Sequence, residues 1–334
     1  MSIEPSFRYD GISAQGFAHP ADRAATAAIH AVPGIDKAVK FFAEHSFERK
    51  LRQVLLGNSI RLGEDQLPAI WAMQRKCADV LDIENCPKLY ITQEPIGNAV
   101  TIGTNEPVML LSSGLVSSYA DDELRAVLAH EMGHVLADHV GLSTVLQLVS
   151  MIVNGTLRSV PMAGVPLMAL YFSLLEWQRA AELTADRASA IVTDDPMLMC
   201  RTLMRIAGGP VKDLNIDAFI VQATEYEGEQ NPFTRYSRFF SEITKTHPIP
   251  VRRVRELTSW VAAGELDRIR NGNYLHKGQE LAPSTEFDVA FQHYRQRFFS
   301  MIGRANDGIS SIFDRMTNWV DSNVGDSESG DEFS

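Results

Sequence analysis

The sequence has few cysteines and no export signal at its start. Its 334 residues contain three cysteines, Cys77, Cys86 and Cys200. They are too scattered for a disulfide scaffold, and none has the C-x-x-C spacing of a thiolate metal site. The first 25 residues carry charge and proline where a secretory signal has an apolar stretch. We therefore expect a protein of a reducing compartment, most simply the cytoplasm.

Basic residues are also scarce relative to acidic ones. Lys and Arg number 31 against 42 Asp and Glu, so the formal charge is −11. This balance disfavours nonspecific attraction to nucleic acid or anionic lipid, and we expect no nucleic-acid partner. The hydrophobic fraction of 45% is that of an ordinary globular protein, which excludes fibrous and low-complexity classes.

The pattern of apolar residues predicts an α+β protein that is mostly helical. Three short β-prone runs, at 88–92, 99–103 and 108–111, are separated by turn residues and predict a small sheet. Helical spacing is found before this region and after it. The strongest helix begins at the acidic run Asp121-Asp122-Glu123, which is favourable at a helix N-terminus, and is expected to continue through at least Asp138.

This helix contains the most informative motif, Ala129-His130-Glu131-Met132-Gly133-His134. Residues four apart share one face of a helix, so His130 and His134 can bind the same metal ion. Two neutral imidazoles and one carboxylate leave a fourth zinc position for water. Glu131 would take the proton of that water as it attacks a peptide carbonyl. The motif predicts one zinc ion per chain and peptide hydrolysis.

The third ligand is less directly indicated. Ala137 and Val140 occupy the places where the metzincin motif has glycine and histidine, which excludes that class. His139 lies one residue short and on another helical face, and we interpret it as a solvated or helix-terminal histidine rather than a ligand.

Glu182 is the better candidate, because it shares a helix face with Asp186. Glu182 could bind the metal while Asp186 accepts a proton from the other nitrogen of a ligand histidine. The alternative is a solvated carboxylate paired with Arg179 or Arg187. Glu176 is a weaker competitor for the ligand position.

Charge is nearly absent between His139 and Glu176, where Arg158 alone carries one. The two uncharged runs approach the length of a membrane span. Polar residues in the first run and two prolines in the second favour a buried or partner-covered helical pair. Membrane insertion, membrane-surface contact or homo-oligomerisation through 140–175 is the alternative, with location on the cytoplasmic side of a membrane.

Several segments in a fixed order resemble the M48 metallopeptidases, the family of the HtpX heat-shock proteases. They are Asn98-Ala99 ahead of a strand, Gly114-Leu115, Glu123–His134, Glu182-Leu183-Thr184-Ala185-Asp186, and Thr246-His247-Pro248 with Arg253. The resemblance implies a zincin-type fold with a small β-sheet beside the active-site helix. It also supports Glu182 as the glutamate ligand.

The resemblance further implies roles for residues that spacing alone does not assign. His247 would stabilise the oxyanion of the tetrahedral intermediate, with Arg253 holding that loop or helping to bind substrate. Asn98, Ala99 and Val100 resemble the edge strand to which an extended peptide substrate adds. The chain departs from membrane-embedded members of the family, because residues 1–85 contain no long apolar run.

We divide the chain into four parts: N-terminal extension and helices at 1–86, a zinc peptidase core at 87–257, a C-terminal helical segment at 258–320, and an acidic tail at 321–334 that we expect to be disordered.

The leading hypothesis is a zinc endopeptidase acting on misfolded or unstructured proteins, as in protein quality control. The alternative is a chaperone-like or scaffold protein with a latent zinc site.

Overall fold

The computed structural model describes residues 7–31, 35, 39, 53–153, 164–209, 213–228, 249–279, 288 and 291–296. Its longer helices, in chain order, are α1 (Pro20–His30), α2 (Pro68–Val80), α3 (Ser113–Ser118), α4 (Asp121–Leu136), α5 (Val140–Val153), α6 (Gly164–Thr193), α7 (Pro196–Gly208), α8 (Ile216–Gly228), α9 (Pro250–Ala262) and α10 (Glu265–Arg270). The strands are β1 (Ile60–Arg61), β2 (Lys88–Thr92), β3 (Ala99–Ile102) and β4 (Val108–Ser112). The expected fold, mostly helical with a small sheet, is confirmed.

The four strands form one mixed sheet in the order β1-β2-β4-β3. Strands β2 and β4 are parallel, with Tyr90 opposite Leu110, whereas β3 runs antiparallel to β4, with Val100 opposite Leu110. The three predicted β-prone runs are therefore strands β2, β3 and β4. The two-residue strand β1 was not predicted, because it is too short for an alternating pattern. Strand β3 lies at one edge, beside α4 and α5.

Helix α4 starts with the predicted acidic residues but ends earlier than expected. Its first turn is capped by Glu123, whose Oε2 accepts a hydrogen bond from the Ala120 N–H at 2.9 Å. The helix ends at Leu136 because Asp138 adopts a left-handed conformation with φ of 58°. The His139 N–H then bonds to the His134 carbonyl at 3.0 Å, and Asp138 N–H to Val135 at 3.2 Å. This C-terminal motif folds His139 back toward α4.

Helices α4 and α6 pack closely through small side chains. A Cβ atom added to Gly133 would lie 2.6 Å from the Cβ of Ala188 and 3.1 Å from the Cα of Ala185. The hydroxyl of Ser189 also bonds across the contact to the carbonyl of Ala126 at 2.8 Å. Glycine at position 133 therefore sets how near the two helices can approach.

The nearly uncharged region is largely buried in its described part. Residues of α5 and of the first half of α6 form a second apolar cluster with α1; its larger members include Ile29, Leu142, Leu146, Val149, Leu170, Leu174 and Trp177. Within the described ranges, none of the helices combines the length and apolarity that a bilayer crossing requires. Membrane-surface contact or homo-oligomerisation through 140–175 stays a prediction.

The main core joins segments from distant parts of the chain. It contains Tyr9 and Leu81 from the predicted N-terminal part, Leu128 from the predicted peptidase core, and Leu266 from the C-terminal segment. The proposed boundaries at 86, 257 and 320 stay predictions. The acidic tail and the Thr246-His247-Pro248 segment lie outside the described residues.

We predict that Gly133→Ala lowers the free energy of unfolding by about 1–3 kcal/mol, because the new methyl group overpacks the α4–α6 contact. Alanine is the better helix former, so helix propensity alone would give the opposite sign. Thermal and urea unfolding monitored by circular dichroism measure the change.

The matched control is Gly208→Ala at the exposed end of α7, where the added Cβ meets only Leu214 Cδ1, at 3.5 Å. This variant is expected to keep or slightly raise the stability of the wild type. A Gly133→Ala protein as stable as the Gly208→Ala protein would contradict the packing argument.

Candidate metal centre and active-site cleft

Three predicted ligand residues come together between α4 and α6. The Nε2 atoms of His130 and His134 lie 3.4 and 3.5 Å from the two carboxylate oxygens of Glu182. One ligand atom from each residue can be chosen so that all three lie within 4.8 Å of one another. All three side chains are buried, and that of Glu182 is 1% exposed. Among the residues that the structure describes, this is the one cluster of its kind.

The donor set fits zinc in chemistry and in size. Zinc bonds of about 2.0–2.1 Å to nitrogen and oxygen give about 3.3–3.4 Å between neighbouring ligands of a tetrahedron. The separations of His130 Nε2 from Glu182 Oε2 and of His134 Nε2 from Glu182 Oε1 are each close to this length, so the three side chains already surround a space of the size of a zinc site. Two imidazoles and one carboxylate are also a usual ligand set of catalytic zinc.

His130 is oriented by a carboxylate on its far side. Its Nδ1 lies 3.1 Å from Oδ1 of Asp186, so a proton on Nδ1 leaves Nε2 facing Glu182. Burial alone would lower the pKa of His130, but the hydrogen bonds to Asp186 and Glu182 outweigh it and raise the pKa to about 9. The surroundings of this ring therefore stabilise positive charge.

Arg253 of α9 binds both carboxylates of α6. Its Nε donates to Asp186 Oδ2 at 2.8 Å, and its Nη1 lies 2.8 Å from Glu182 Oε2. The guanidinium is buried, and although burial raises the pKa of an isolated carboxyl, Arg253 holds the pKa of Asp186 below its usual range. Arg253 thus contacts both the predicted ligand Glu182 and its neighbour Asp186, and its role in holding the site or binding substrate stays a prediction.

Glu131 is held by the neighbouring strand. Its Oε2 accepts a hydrogen bond of 2.8 Å from the hydroxyl of Thr101 on β3, and both side chains are buried. The sequence reasoning missed Thr101, because a threonine in a strand has no distinctive signal. It also missed Gln178, which lies one turn before Glu182 and donates to its Oε1 at 2.8 Å.

His139 lies between the ends of two helices and outside the three-residue cluster, as one of the two sequence interpretations expected, but it is buried rather than solvated. Its side chain is 2% exposed, and its Nδ1 lies 3.0 Å from Nδ1 of His134. Its Nε2 lies 3.1 Å from Oδ2 of Asp22 in α1. A solvated His139 was wrong because that interpretation extended α4 past Leu136, whereas the left-handed Asp138 turns His139 toward the site. Asp22 was not singled out at all.

A cleft of about 110 Å³ borders the metal centre. On the side of β3, the cleft is lined by Gly97, Asn98 and Ala99. At the candidate metal centre it is lined by His130, Glu131, Glu182 and Arg253. The remaining lining residues are Leu115, Tyr119, Val127, Met199 and Ile206. The residues predicted to bind substrate, Asn98 and Ala99, therefore lie beside the predicted ligands, with Val100 following in β3.

His247, the predicted oxyanion residue, lies outside the described residues. Glu176, the weaker ligand candidate, forms a close ion pair with Arg179.

Comparison with known proteins places this site in a family. The model of peptidase family M48 matches residues 66–261, more than half of the chain. The chain is 33% identical over 263 residues to the plastoglobule-localized metallopeptidase 48, chloroplastic, of Arabidopsis thaliana, covering 77% of this chain and 75% of that protein. It is 26% identical over 227 residues to protease HtpX homolog 2 of Methanosarcina acetivorans, covering 59% and 74%.

The chain therefore belongs to peptidase family M48 and is a metallopeptidase. The metal of this family is generally zinc. No solved structure matches the chain. The relative from Arabidopsis is named for plastoglobules, and the cytoplasmic location expected for the present chain stays a prediction.

We predict that Glu182→Gln weakens zinc binding by about 100-fold or more. Loss of a residue that only hydrogen-bonds to a ligand lowers metal affinity by about 10–100-fold, and loss of the charged ligand itself should lower it at least as much. The amide keeps the size of the side chain and removes the anionic ligand. Competition with a fluorescent zinc chelator measures the dissociation constant.

Glu176→Gln is the matched control, since it makes the same change in the same helix outside the cluster. We expect its zinc affinity to equal that of the wild type. If the two variants bound zinc equally well, Glu182 would not be a ligand.

Proposed function

We propose that this metallopeptidase is a zinc-dependent endopeptidase that cleaves extended segments of misfolded or unstructured proteins. The observation that carries the proposal is the edge position of β3 beside the ligand-bearing helix α4. A peptide that pairs with this strand would lie along the cleft that contains Glu131. Pairing through the backbone selects extended chains without reading much sequence.

The outward edge of β3 can be assigned from its pairing with β4. The Ser112 N–H donates to the Asn98 carbonyl at 2.9 Å, so Asn98 directs its backbone groups toward β4. Because this direction alternates along an antiparallel strand, Val100 does the same, and Ala99 and Thr101 direct theirs away from β4. We infer that a substrate pairs with Ala99 and Thr101.

His130, His134 and Glu182 would hold the zinc ion. When bound there, zinc supplies a Lewis acid and lowers the pKa of water toward neutrality. Asp186 fixes the ring of His130, and Arg253 fixes Asp186 and Glu182 in turn. These contacts would keep two of the three ligands, His130 and Glu182, in place while substrate enters and product leaves.

Glu131 would act as the general base and then as the general acid. It accepts the proton of the attacking water and delivers it to the nitrogen of the leaving amine. The hydrogen bond from Thr101 uses one acceptor position of a carboxylate that has about four, so capacity for the water remains. Because Thr101 belongs to the strand that would bind substrate, one strand would orient both the base and the peptide. His247 is proposed, from the resemblance, to stabilise the oxyanion.

We predict that Glu131→Gln lowers cleavage of a reduced, unfolded and fluorescently labelled protein by about 10²–10⁴-fold, the usual contribution of a general base. Zinc affinity and the circular dichroism spectrum are expected to remain those of the wild type, because Glu131 is not among the three ligands. Product peptides identified by mass spectrometry give the readout.

Asp121→Asn, the same kind of change in the exposed first turn of α4, is the control and is expected to leave cleavage unchanged. Equal cleavage by wild type and Glu131→Gln would remove Glu131 as the base. A wild type that binds zinc without cleaving any unfolded protein would instead support the latent-site alternative.

We predict that Ala99→Pro raises the KM for an unfolded protein several-fold. Proline removes an N–H that points away from β4, so the ladder to β4 is kept while a bond to substrate is lost. Steady-state kinetics and a zinc titration measure the two effects, and the zinc affinity is expected to stay constant. An unchanged KM would argue against pairing of substrate with this edge.

A further inference from the structure

A buried line of three polar side chains connects helix α1 to the metal centre. It runs from His134 through His139 to Asp22, with contacts of 3.0 and 3.1 Å. The three side chains are each less than a tenth exposed. Asp22 lies outside residues 66–261, the part of the chain that the family model matches.

The positions of the nitrogen atoms allow one arrangement of protons that leaves both rings neutral and satisfied. Asp22 is an acceptor only, so His139 must carry its proton on Nε2 to bond with it. Nδ1 of His139 is then an acceptor, and it faces Nδ1 of His134. His134 therefore donates from Nδ1, which leaves the lone pair of its Nε2 directed at the metal position beside Glu182.

Asp22 is itself fixed by further donors. The hydroxyl of Thr184 donates to its Oδ2 at 2.6 Å, and that of Thr26 donates to its Oδ1 at 3.1 Å. The indole Nε1–H of Trp177 donates to the Thr26 hydroxyl at 2.9 Å, and its ring packs edge-on against His139. The carboxylate and the imidazole thus have little freedom to rotate away from this arrangement.

We propose that His139 and Asp22 are positioning residues that fix the tautomer and the ring orientation of the zinc ligand His134, so that helix α1 completes the metal centre. The inference rests on the proposed function, because it takes His134 as a ligand. The two ligand histidines would then be oriented differently, His130 directly by the carboxylate of Asp186 and His134 through an intervening neutral imidazole.

The first measurement is zinc affinity, by chelator competition with the full chain. We expect His139→Leu and Asp22→Ala to weaken zinc binding by about 10–100-fold, the usual effect of losing such a partner. His139→Gln should recover most of the affinity, since an amide can accept from His134 and donate to Asp22. His19→Ala is the control: it removes the side chain that accepts from the Ala21 N–H at the start of α1 without touching the three residues.

The second measurement is the protonation of the rings in zinc-loaded, ¹⁵N-histidine-labelled protein by NMR. We expect His134 to be protonated on Nδ1 and His139 on Nε2 alone. A His139 protonated on Nδ1 could not accept from His134, and that result would overturn the proposal.

The outcomes separate this inference from the proposed function. If the wild type binds zinc and the His139→Leu and Asp22→Ala proteins bind it with the same affinity, the positioning role is overturned and the peptidase proposal stands. Wild type that binds no zinc would overturn both. If His139→Leu did not fold, His139→Phe replaces it, because its ring keeps the packing against Trp177 but can neither accept from His134 nor donate to Asp22. Weaker zinc binding in a folded His139→Phe protein supports the proposal, and unchanged binding overturns it.

Discussion

The candidate metal centre depends on the compensation of buried negative charge. Glu131, Glu182 and Asp186 are all buried, and the neighbouring guanidinium of Arg253 balances one of the three carboxylates. When both imidazoles are neutral, as binding of a metal requires, two negative charges remain at the junction of α4 and α6. Charges removed from water are costly unless a counter-charge lies close by. A divalent cation at this position would supply that counter-charge, in agreement with the metal expected for the family.

The close approach of α4 and α6 makes this arrangement possible. Gly133 and Ala188 bring the helices near enough for two imidazoles from one and a carboxylate from the other to face the same point. Position 133 is one of the two nominally variable places in the H-E-x-x-H motif, and Met132 at the other is fully buried. Both variable positions of the motif are therefore constrained by packing in this protein.

Much of the fold and part of the site followed from the sequence, because they depend on local patterns. The helix carrying His130 and His134 is defined by its acidic start and apolar stripe, and the three longer strands are defined by β-prone runs between turns. Glu182 was predicted as a ligand because it shares a helix face with Asp186 and because of the family resemblance, and the structure places it beside the two histidines. The contacts of His139, Thr101 and Asp22 could not be read in this way. They depend on the left-handed turn at Asp138 and on the packing of α1 and β3 against the site.

The buried polar contacts around the candidate metal centre join segments that are far apart in the chain. Asp22 precedes the H-E-x-x-H motif by about a hundred residues, and Arg253 follows it by a similar interval. Such long-range contacts form after the intervening chain is available and are slow to establish. During synthesis, the helix with the two histidines emerges from the ribosome well before Glu182 and Arg253. The candidate metal centre with all of these contacts therefore forms only once the segments from Asp22 to Arg253 have folded together.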